Sequence, residues 1–377
     1  MGASVGFFFG NRDNMYMEKV FSCILKRPGF FACIIICTLF FSVSTYSADP
    51  RLDAVKDFLY VLQADHIRIS DLADNDFDLV VMDYAKYGDE DSEYGPQEIQ
   101  RIREGGDAGC TKIVLAYLSI GEAEDYRFYW ETAWEIDPPA WLGPFNPDWP
   151  GNYKVRYWME DWKAVIFGNP SGPRKSYLDR IIDQGFDGVY LDIIDAYEFW
   201  SETEGGNERL RDQARVDMKE FLREIRHYAR HVRGRSDFLV FPQNAPDIIL
   251  DELGFLDGIG RMFLDQCDGI GQEEIWYQGL DSKDKDEQDW VTDALDIFMQ
   301  NGKAVLCVEY IWDSSASQTN TNKKRFNDFY TNALDKLYVP YAADKNQELN
   351  NIILVIRGEG FHFSQPVPNG KKGPIRR

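Results

Sequence analysis

The strongest constraint on the fold is a segment type that recurs along the chain: a helical stretch, then a short apolar run that ends at a polar residue. The clearest copy is Gly185–Tyr197, in which the β-forming run 188–191 breaks off at Asp192, and a second carboxylate, Asp195, follows. A helix with one apolar face precedes it and ends at Gly185. An aspartate in this position can also be the N-cap of the next helix, so this copy alone leaves both interpretations open.

Similar apolar runs occur through most of the chain, and helical stretches separate them. They lie at residues 58–62, 78–82, 112–118, 188–191, 238–241, 267–271, 304–308 and 338–341. Such runs are typical of parallel strands that are covered on both faces. The sequence therefore predicts an α/β fold, a (β/α)8 TIM barrel in a single domain. An open doubly wound sheet is the alternative, disfavoured because no glycine-rich phosphate turn follows an early strand.

The N-terminal residues 1–48 have the features of a secretory signal peptide. Lys26 and Arg27 precede an apolar run at 30–41, and small residues follow. The run is shorter than the roughly 20 residues of a transmembrane helix. We therefore expect cleavage, a secreted or periplasmic protein, and no stable membrane insertion afterwards; an uncleaved anchor is the alternative.

The remaining chain divides at the end of the last apolar run. We assign residues 49–345 to the barrel domain and 346–377 to a C-terminal extension. The extension has one candidate edge strand, at 352–356, and a basic tail from Gly370 that we expect to be disordered.

The charge of the chain excludes some partners. It has 63 Asp and Glu against 41 Lys and Arg, a net charge of −22. Such a surface repels nucleic acid and attracts cationic molecules. Taken alone, the charge is explained as well by the solubility of a secreted protein, and we favour that explanation.

Polar residues that follow the predicted strands are the candidates for chemistry. They are Asp83, Glu122, Asp192, Asn244, Glu273 and Glu309. In a barrel the carboxyl ends of the strands converge on one face, where the reaction takes place. Paired carboxyls are what glycoside hydrolysis requires. An insertion at 125–162 carries six tryptophans, of which we expect about half in the core and the others along a sugar-binding cleft.

Other chemistries have little support in the sequence. His227 and His231 are one helical turn apart, but they lie in an arginine-rich helix, so we expect a solvated face and not a metal pair. The three cysteines that follow the signal region lack the spacing of a zinc site. Neither a G-x-S-x-G elbow nor a P-loop is present. We therefore expect no metal and no cofactor.

Three blocks of the sequence resemble a known family. Ala116–Arg127 resembles a signature of the barrel domains around glycoside hydrolase family 114, whose characterised members are endo-α-1,4-polygalactosaminidases. Gly185–Asp195 and Asp268–Glu273 match two further blocks of that group, and the similarity extends over about 53–341. The resemblance implies a polysaccharide substrate, a galactosamine polymer that is cationic where it is not acetylated.

The resemblance also implies roles for residues. Asp192 and Glu273 would be the catalytic pair, with Glu273 favoured as the proton donor, and Asp83, Glu122 and Asp195 would line the substrate cleft. To these we add five residues at or near strand ends as expected substrate contacts: Tyr84, Tyr117, Asn244, Tyr277 and Glu309.

A near-repeat makes the position of Glu273 uncertain from sequence alone. The pattern Asp-Gly-Ile-Gly occurs at 257–260 and again at 268–271, and only the second copy continues to a carboxylate at the expected position. We therefore take the second copy as the strand. A non-catalytic carbohydrate-binding barrel is the alternative function. A metal-dependent deacetylase is a third hypothesis, which the shortage of histidines disfavours.

Overall fold

The computed structural model of the chain describes residues 49–105, 111–168, 174–202, 205–315, 319–353, 355–356 and 362–363. The predicted signal peptide and the basic tail from Gly370 lie outside these ranges. Among the helices within them, none combines the length and the apolar character needed to cross a bilayer.

Parallel strands form the centre of the domain, and their side chains are almost all buried. The strands are β1 (Phe58–Val61), β2 (Leu79–Met82), β3 (Ile113–Ser119), β4 (Gly188–Asp192), β5 (Leu239–Pro242), β6 (Gly269–Glu273), β7 (Ala304–Trp312) and β8 (Val339–Asp344). They pair in two arcs, β1 to β5 and β6 to β8, each in chain order. Burial on both faces explains why the strand sequences are apolar throughout and do not alternate.

The two arcs join into a barrel. Between β5 and β6 a parallel bridge links Gln243 to Gly271. Between β1 and β8 the rings of Phe58 and Tyr341 lie 5.7 Å apart, and just beyond these strands the backbone N–H of Leu62 donates to a carbonyl of the C-terminal segment. The predicted (β/α)8 fold is confirmed.

Helices link the strands and cover them. The α-helices are α1 (Ile69–Ala73), α2 (Pro96–Arg103), α3 (Glu160–Ile166), α4 (Tyr177–Gln184), α5 (Ala196–Ser201), α6 (Arg211–His227), α7 (Gly258–Leu264), α8 (Lys285–Gln300) and α9 (Thr319–Asp335). Short 3₁₀ turns lie at Leu52–Ala54, Glu90–Ser92, Thr132–Glu135 and Pro246–Ile249, and a π turn, Tyr228–Val232, continues α6. Helix α4 ends as predicted, at Gly185 with φ of 89°.

A small antiparallel sheet interrupts the barrel pattern between β3 and α4. We call it the side sheet; its strands are Glu122–Glu124, Leu142–Phe145 and Asn152–Val155. Two of its strands belong to the tryptophan-rich insertion, in which Trp141 and Trp162 are buried and Trp149 is 57% exposed. Two further ladders pair Tyr277–Gln278 with Asp281–Ser282, and Val355–Ile356 with His362–Phe363. Of the edge strand expected at 352–356, only Val355–Ile356 forms a strand among the described residues.

The two copies of the near-repeat fold differently. Gly258–Leu264 is helix α7, because the side chain of Asp257 caps it by accepting from the backbone N–H of Gly260 at 2.7 Å. The second copy is strand β6, which pairs with β7 and ends at Glu273. The choice of the second copy as the strand is confirmed.

Glycines in β6 give large side chains of neighbouring strands the space to fill the barrel. A Cβ atom on Gly271 would lie 1.7 Å from the hydroxyl oxygen of Tyr190, and one on Gly269 would lie 2.1 Å from the ring of Phe241. Tyr190 in turn packs on Tyr60, with ring centroids 5.3 Å apart. The interior below the site is therefore filled by aromatic rings from β1, β4 and β5.

We predict that Gly271→Ala destabilises the fold. The added methyl group has no free volume beside Tyr190, and overpacking of this kind costs about 1–3 kcal/mol. Gly258→Ala is the matched control, because a Cβ there meets nothing within 4 Å. Urea unfolding of both variants checks the prediction, and equal stability of the two would contradict it.

Candidate active site

Asp192 lies at the carboxyl end of β4, opposite Ser119 of β3 in the parallel register. Tyr117 precedes Ser119 by two residues and so lies on the same face of β3. Its hydroxyl donates to Asp192 Oδ2 at 2.6 Å. Burial and then the negative charge of Glu273 raise the pKa of Asp192 to about 8. The protonated form of Asp192 is therefore favoured to a higher pH than that of an ordinary aspartate.

Glu273 ends β6 and has more hydrogen-bond donors around it. Asn244 Nδ2 donates to its carboxylate at 2.9 Å, and the hydroxyl of Tyr310 donates to the other oxygen. The backbone N–H of Glu273 donates to Asn244 Oδ1 at 3.0 Å, which fixes the amide orientation. Burial raises the pKa of Glu273, while the bonds from Tyr310, Asn244 and Gln243 oppose that rise.

The two carboxyls are therefore unequal members of one coupled pair. Both are desolvated, and the charge of one raises the pKa of the other. Glu273 has three side-chain donors that favour its anion, from Tyr310, Asn244 and Gln243. Asp192 has the Tyr117 hydroxyl and the backbone N–H of Ile193. A protonated and an ionised carboxyl side by side are the groups needed for acid-assisted displacement at a sugar carbon.

The backbone next to these residues adopts the left-handed conformation at three strand ends. Ile193 after β4 has φ of 59°, Asn244 and Ala245 after β5 have 64° and 48°, and Glu274 after β6 has 50°. This conformation is unfavourable for side chains with a Cβ atom, most of all for a β-branched one. Gly121 allows it at Ile193, because a Cβ there would lie 2.1 Å from the Ile193 carbonyl oxygen. Each turn reverses the chain directly after a residue of the site.

Glu122 and Asp195 differ in their access to solvent. Glu122 is fully buried and accepts hydrogen bonds from Asn146 at 2.8 Å and Asn152 at 3.0 Å. It also pairs with Lys154 at 2.6 Å. Through these contacts Glu122 holds the side sheet together. Asp195 is exposed beyond the end of β4, and its carboxylate is accessible to a ligand.

Asp83 and Tyr84 follow β2, and neither contacts Asp192 or Glu273. Asp83 is buried and accepts two hydrogen bonds from Arg127, at 2.8 and 3.0 Å. Tyr84 is fully buried, with its ring 4.7 Å from that of Tyr177 and its hydroxyl on the carbonyl of Gly88. The contacts of Tyr84 give it a packing role and leave no surface for the predicted substrate contact.

Glu309 and Tyr277 support the loop that follows β6. Strand β7 continues to Trp312, so Glu309 is not at a strand end, and its side chain is fully buried. It accepts from the backbone N–H of Trp276 at 2.8 Å, and burial raises its pKa to about 8. The Tyr277 hydroxyl donates to Asp328 at 2.7 Å. Strand parity points the buried side chain of Glu309 away from the pair, so in this structure it supports the loop, and its contact with substrate stays a prediction.

Three residues of the site, Tyr310, Tyr60 and Gln243, were not predicted from the sequence. Tyr310 donates to Glu273, and Tyr60 donates to Gln243, which lies beneath Asn244, at 3.1 Å. The signal that could have found Tyr310 is the two-residue period of a strand, since Glu309 and Tyr310 cannot both face the barrel axis.

Metal ligands do not cluster in the part of the chain that is described. No group of three or more His, Cys, Asp or Glu there could hold an ion. His227 and His231 have ring centroids 4.9 Å apart, and both are exposed, as predicted for a solvated face.

Comparisons with known proteins assign the chain to a family. Residues 43–359 match the model of glycoside-hydrolase family GH114. The chain belongs to family GH114. The resemblance drawn from the three sequence blocks is thus confirmed, and membership of a glycoside hydrolase family is established.

Relatives of this GH114 chain occur in distant organisms. An uncharacterized protein of Methanocaldococcus jannaschii is 40% identical over 363 residues, covering 90% of this chain and 97% of the relative. An uncharacterized protein of Thermotoga maritima is 39% identical over 326 residues, covering 85% and 92%. Aspergillus fumigatus Ega3, solved in complex with galactosamine, has a TM-score of 0.54 at 19% identity, covering 81% of this chain and 97% of Ega3. That likeness shows the shared fold.

We predict that Tyr310→Phe in this GH114 domain raises the pKa of Glu273. Loss of the hydroxyl removes a donor that stabilises the anion, so the pH limb that reports ionisation of Glu273 moves to higher pH, by about one unit. The pH dependence of kcat/KM checks this. Tyr277→Phe is the control, because its hydroxyl bonds to Asp328; the same shift in both variants would contradict the prediction.

We also predict that Glu309→Gln flattens the pH dependence of stability. The pKa of Glu309 is about 8 in the folded state against an ordinary value of 4.5. The folded state therefore keeps a proton that the unfolded chain releases, and the free energy of unfolding falls as pH rises through that window. The wild type should lose up to about 3 kcal/mol more than Glu309→Gln between about pH 5 and 8.

Urea unfolding at several pH values measures this difference. The exposed Glu287 of α8 provides the control substitution Glu287→Gln. Parallel stability curves for Glu309→Gln and the wild type would show that Glu309 is ionised in the folded protein.

Proposed function

We propose that this GH114 chain is a secreted hydrolase that cleaves α-1,4-linked, galactosamine-containing polysaccharide, with Asp192 and Glu273 as its catalytic pair. The observation that carries the proposal is the coupled pair of partly buried carboxyls at the ends of β4 and β6, each held by a tyrosine hydroxyl. Carboxyl ends of barrel strands are where active sites of this fold lie.

The substrate class is supported by charge and by a structural neighbour. The net charge of −22 and the exposed carboxylate of Asp195 favour a cationic ligand, such as an incompletely acetylated amino-sugar chain. Ega3, which shares the fold, was solved with galactosamine bound. Export of the protein rests on the signal-peptide features of residues 1–48.

The mechanism divides the work between the two carboxyls. The protonated member donates to the glycosidic oxygen as the bond to the sugar carbon breaks, so that the leaving sugar departs as an alcohol. The ionised member either attacks that carbon or takes a proton from the attacking water. Before substrate binds, the hydrogen bonds to Glu273 favour its anion and leave the proton on Asp192. The family resemblance instead favours Glu273 as the proton donor.

Substrates with different leaving groups distinguish the two assignments. An aryl glycoside with an acidic phenol leaves without acid assistance, so the variant that lacks the proton donor retains turnover on it while losing turnover on the polymer. Retention by Asp192→Asn would assign the donor role to Asp192, and retention by Glu273→Gln would assign it to Glu273.

We predict that Asp192→Asn and Glu273→Gln each reduce turnover by at least about 10³-fold, because each removes a proton-transfer or displacement group. The assay is reducing-end release from partly deacetylated α-1,4-galactosaminogalactan, with Glu287→Gln as a surface control. Full activity in either variant would disprove the catalytic assignment. Binding without any release by the wild type would support the carbohydrate-binding barrel instead.

A further inference from the structure

The outer face of the side sheet carries aromatic rings that the proposed active site does not use. The Tyr153 ring stacks on that of Trp130, with centroids 4.8 Å apart and planes at 30°. Phe145 meets Tyr153 edge-on at 5.5 Å and is 47% exposed. Trp149, in the turn that joins the strand Leu142–Phe145 to the strand Asn152–Val155, is 57% exposed. We call these four residues the aromatic platform.

The platform lies on the face of the side sheet that points away from Glu122. Along the strand Asn152–Val155, Asn152 and Lys154 both contact Glu122. Because side chains alternate along a strand, Tyr153 between them projects from the opposite face. The platform is therefore not an extension of the Glu122 contacts.

A series of ring contacts, most of them edge-to-face or tilted, holds Trp130 and Tyr153 in place. Trp130 packs on Trp134 at 5.3 Å, Trp134 on Trp141 at 5.0 Å, and Trp141 on the buried Trp162 at 4.9 Å. Rings fixed in this way lose little conformational freedom when a ligand stacks on them. Flat, preorganised aromatic faces suit the apolar faces of sugar rings and attract ammonium groups.

Two carboxylates lie beside the platform. The backbone N–H of Asp125 donates to the carbonyl of Gly151 at 2.9 Å, two residues before Tyr153. Burial and then the charges of Asp125 and Glu135 raise the pKa of Tyr153. Both residues are exposed. Neither pairs with a lysine or arginine among the described residues. The surface thus combines rigid aromatic faces with uncompensated negative charge.

We infer that the aromatic platform, with Asp125 and Glu135, is a second glycan-binding site that holds a cationic amino-sugar chain outside the active site. Sugar rings lie on Tyr153, Phe145 and Trp149, and ammonium groups face the two carboxylates. The nature of the ligand rests on the proposed function. The presence of the aromatic rings and the two carboxylates does not depend on the proposed function.

Retention on insoluble, partly deacetylated galactosaminogalactan tests the inference. Asp192→Asn serves as the parent, so that binding is measured without cleavage. One variant adds Phe145→Ala and Trp149→Ala, and another adds Asp125→Asn and Glu135→Gln. The control adds Trp290→Ala and Glu287→Gln, since α8 carries an equally exposed tryptophan, at 55%, and an exposed acid. Thermal unfolding verifies that every variant is folded.

We expect about tenfold weaker binding for each platform variant, the size of effect that one lost aromatic or charge contact gives, and no change for the control. Full acetylation of the polymer should weaken binding by the parent by a larger factor than binding by the carboxylate variant, in which only the charges outside the platform remain to be lost. Binding of both platform variants within twofold of the parent would overturn the second site and leave the proposed function intact. A wild type that neither binds nor cleaves the polymer would overturn both.

Discussion

Desolvation of two carboxyls at one end of a parallel barrel is the constraint on which the site depends. Asp192 and Glu273 are partly buried and close enough for the charge of Glu273 to raise the pKa of Asp192, and a desolvated charge without partners is costly in free energy. The structure meets this cost unequally. Glu273 receives side-chain donors from β7 and from the turn after β5, while Asp192 receives one side-chain donor, from β3, and the backbone N–H of Ile193. The environments of two chemically similar groups are thereby made different.

The same requirement explains the backbone around the pair. Ile193, Asn244 and Glu274 adopt left-handed conformations that a stable loop would ordinarily assign to glycine. Asn244 in this conformation can both donate to the Glu273 carboxylate and accept from its N–H. The strain is supported by close packing such as that of Gly121 on Ile193. The backbone strain therefore lies next to the two carboxyls of the site.

The fold could be predicted from the sequence because buried parallel strands give apolar runs that are easy to recognise, and eight of them separated by helices leave few topologies. Asp192 and Glu273 could be placed at strand ends for the same reason. The orientation of Glu309 could not be predicted, because β7 extends to Trp312, beyond the apolar run identified in the sequence. Side chains alternate along a strand, so an error of one residue assigns a side chain to the opposite face. The role of Tyr84 could not be predicted, because a tyrosine after a strand fits equally a cleft or a packed core. Only the rings of Phe128 and Tyr177 decide it.

Under the proposed second glycan site, the strand Asn152–Val155 would determine how long a polymer stays on the molecule. Its Lys154 side faces Glu122 and its Tyr153 side bears the platform, so two surfaces share one four-residue backbone. A chain anchored at Tyr153 is tethered, and its free segments encounter the barrel mouth at a high effective concentration. Successive cuts within one tethered molecule would then outnumber cuts spread over many molecules, and early products would be short fragments beside uncut polymer.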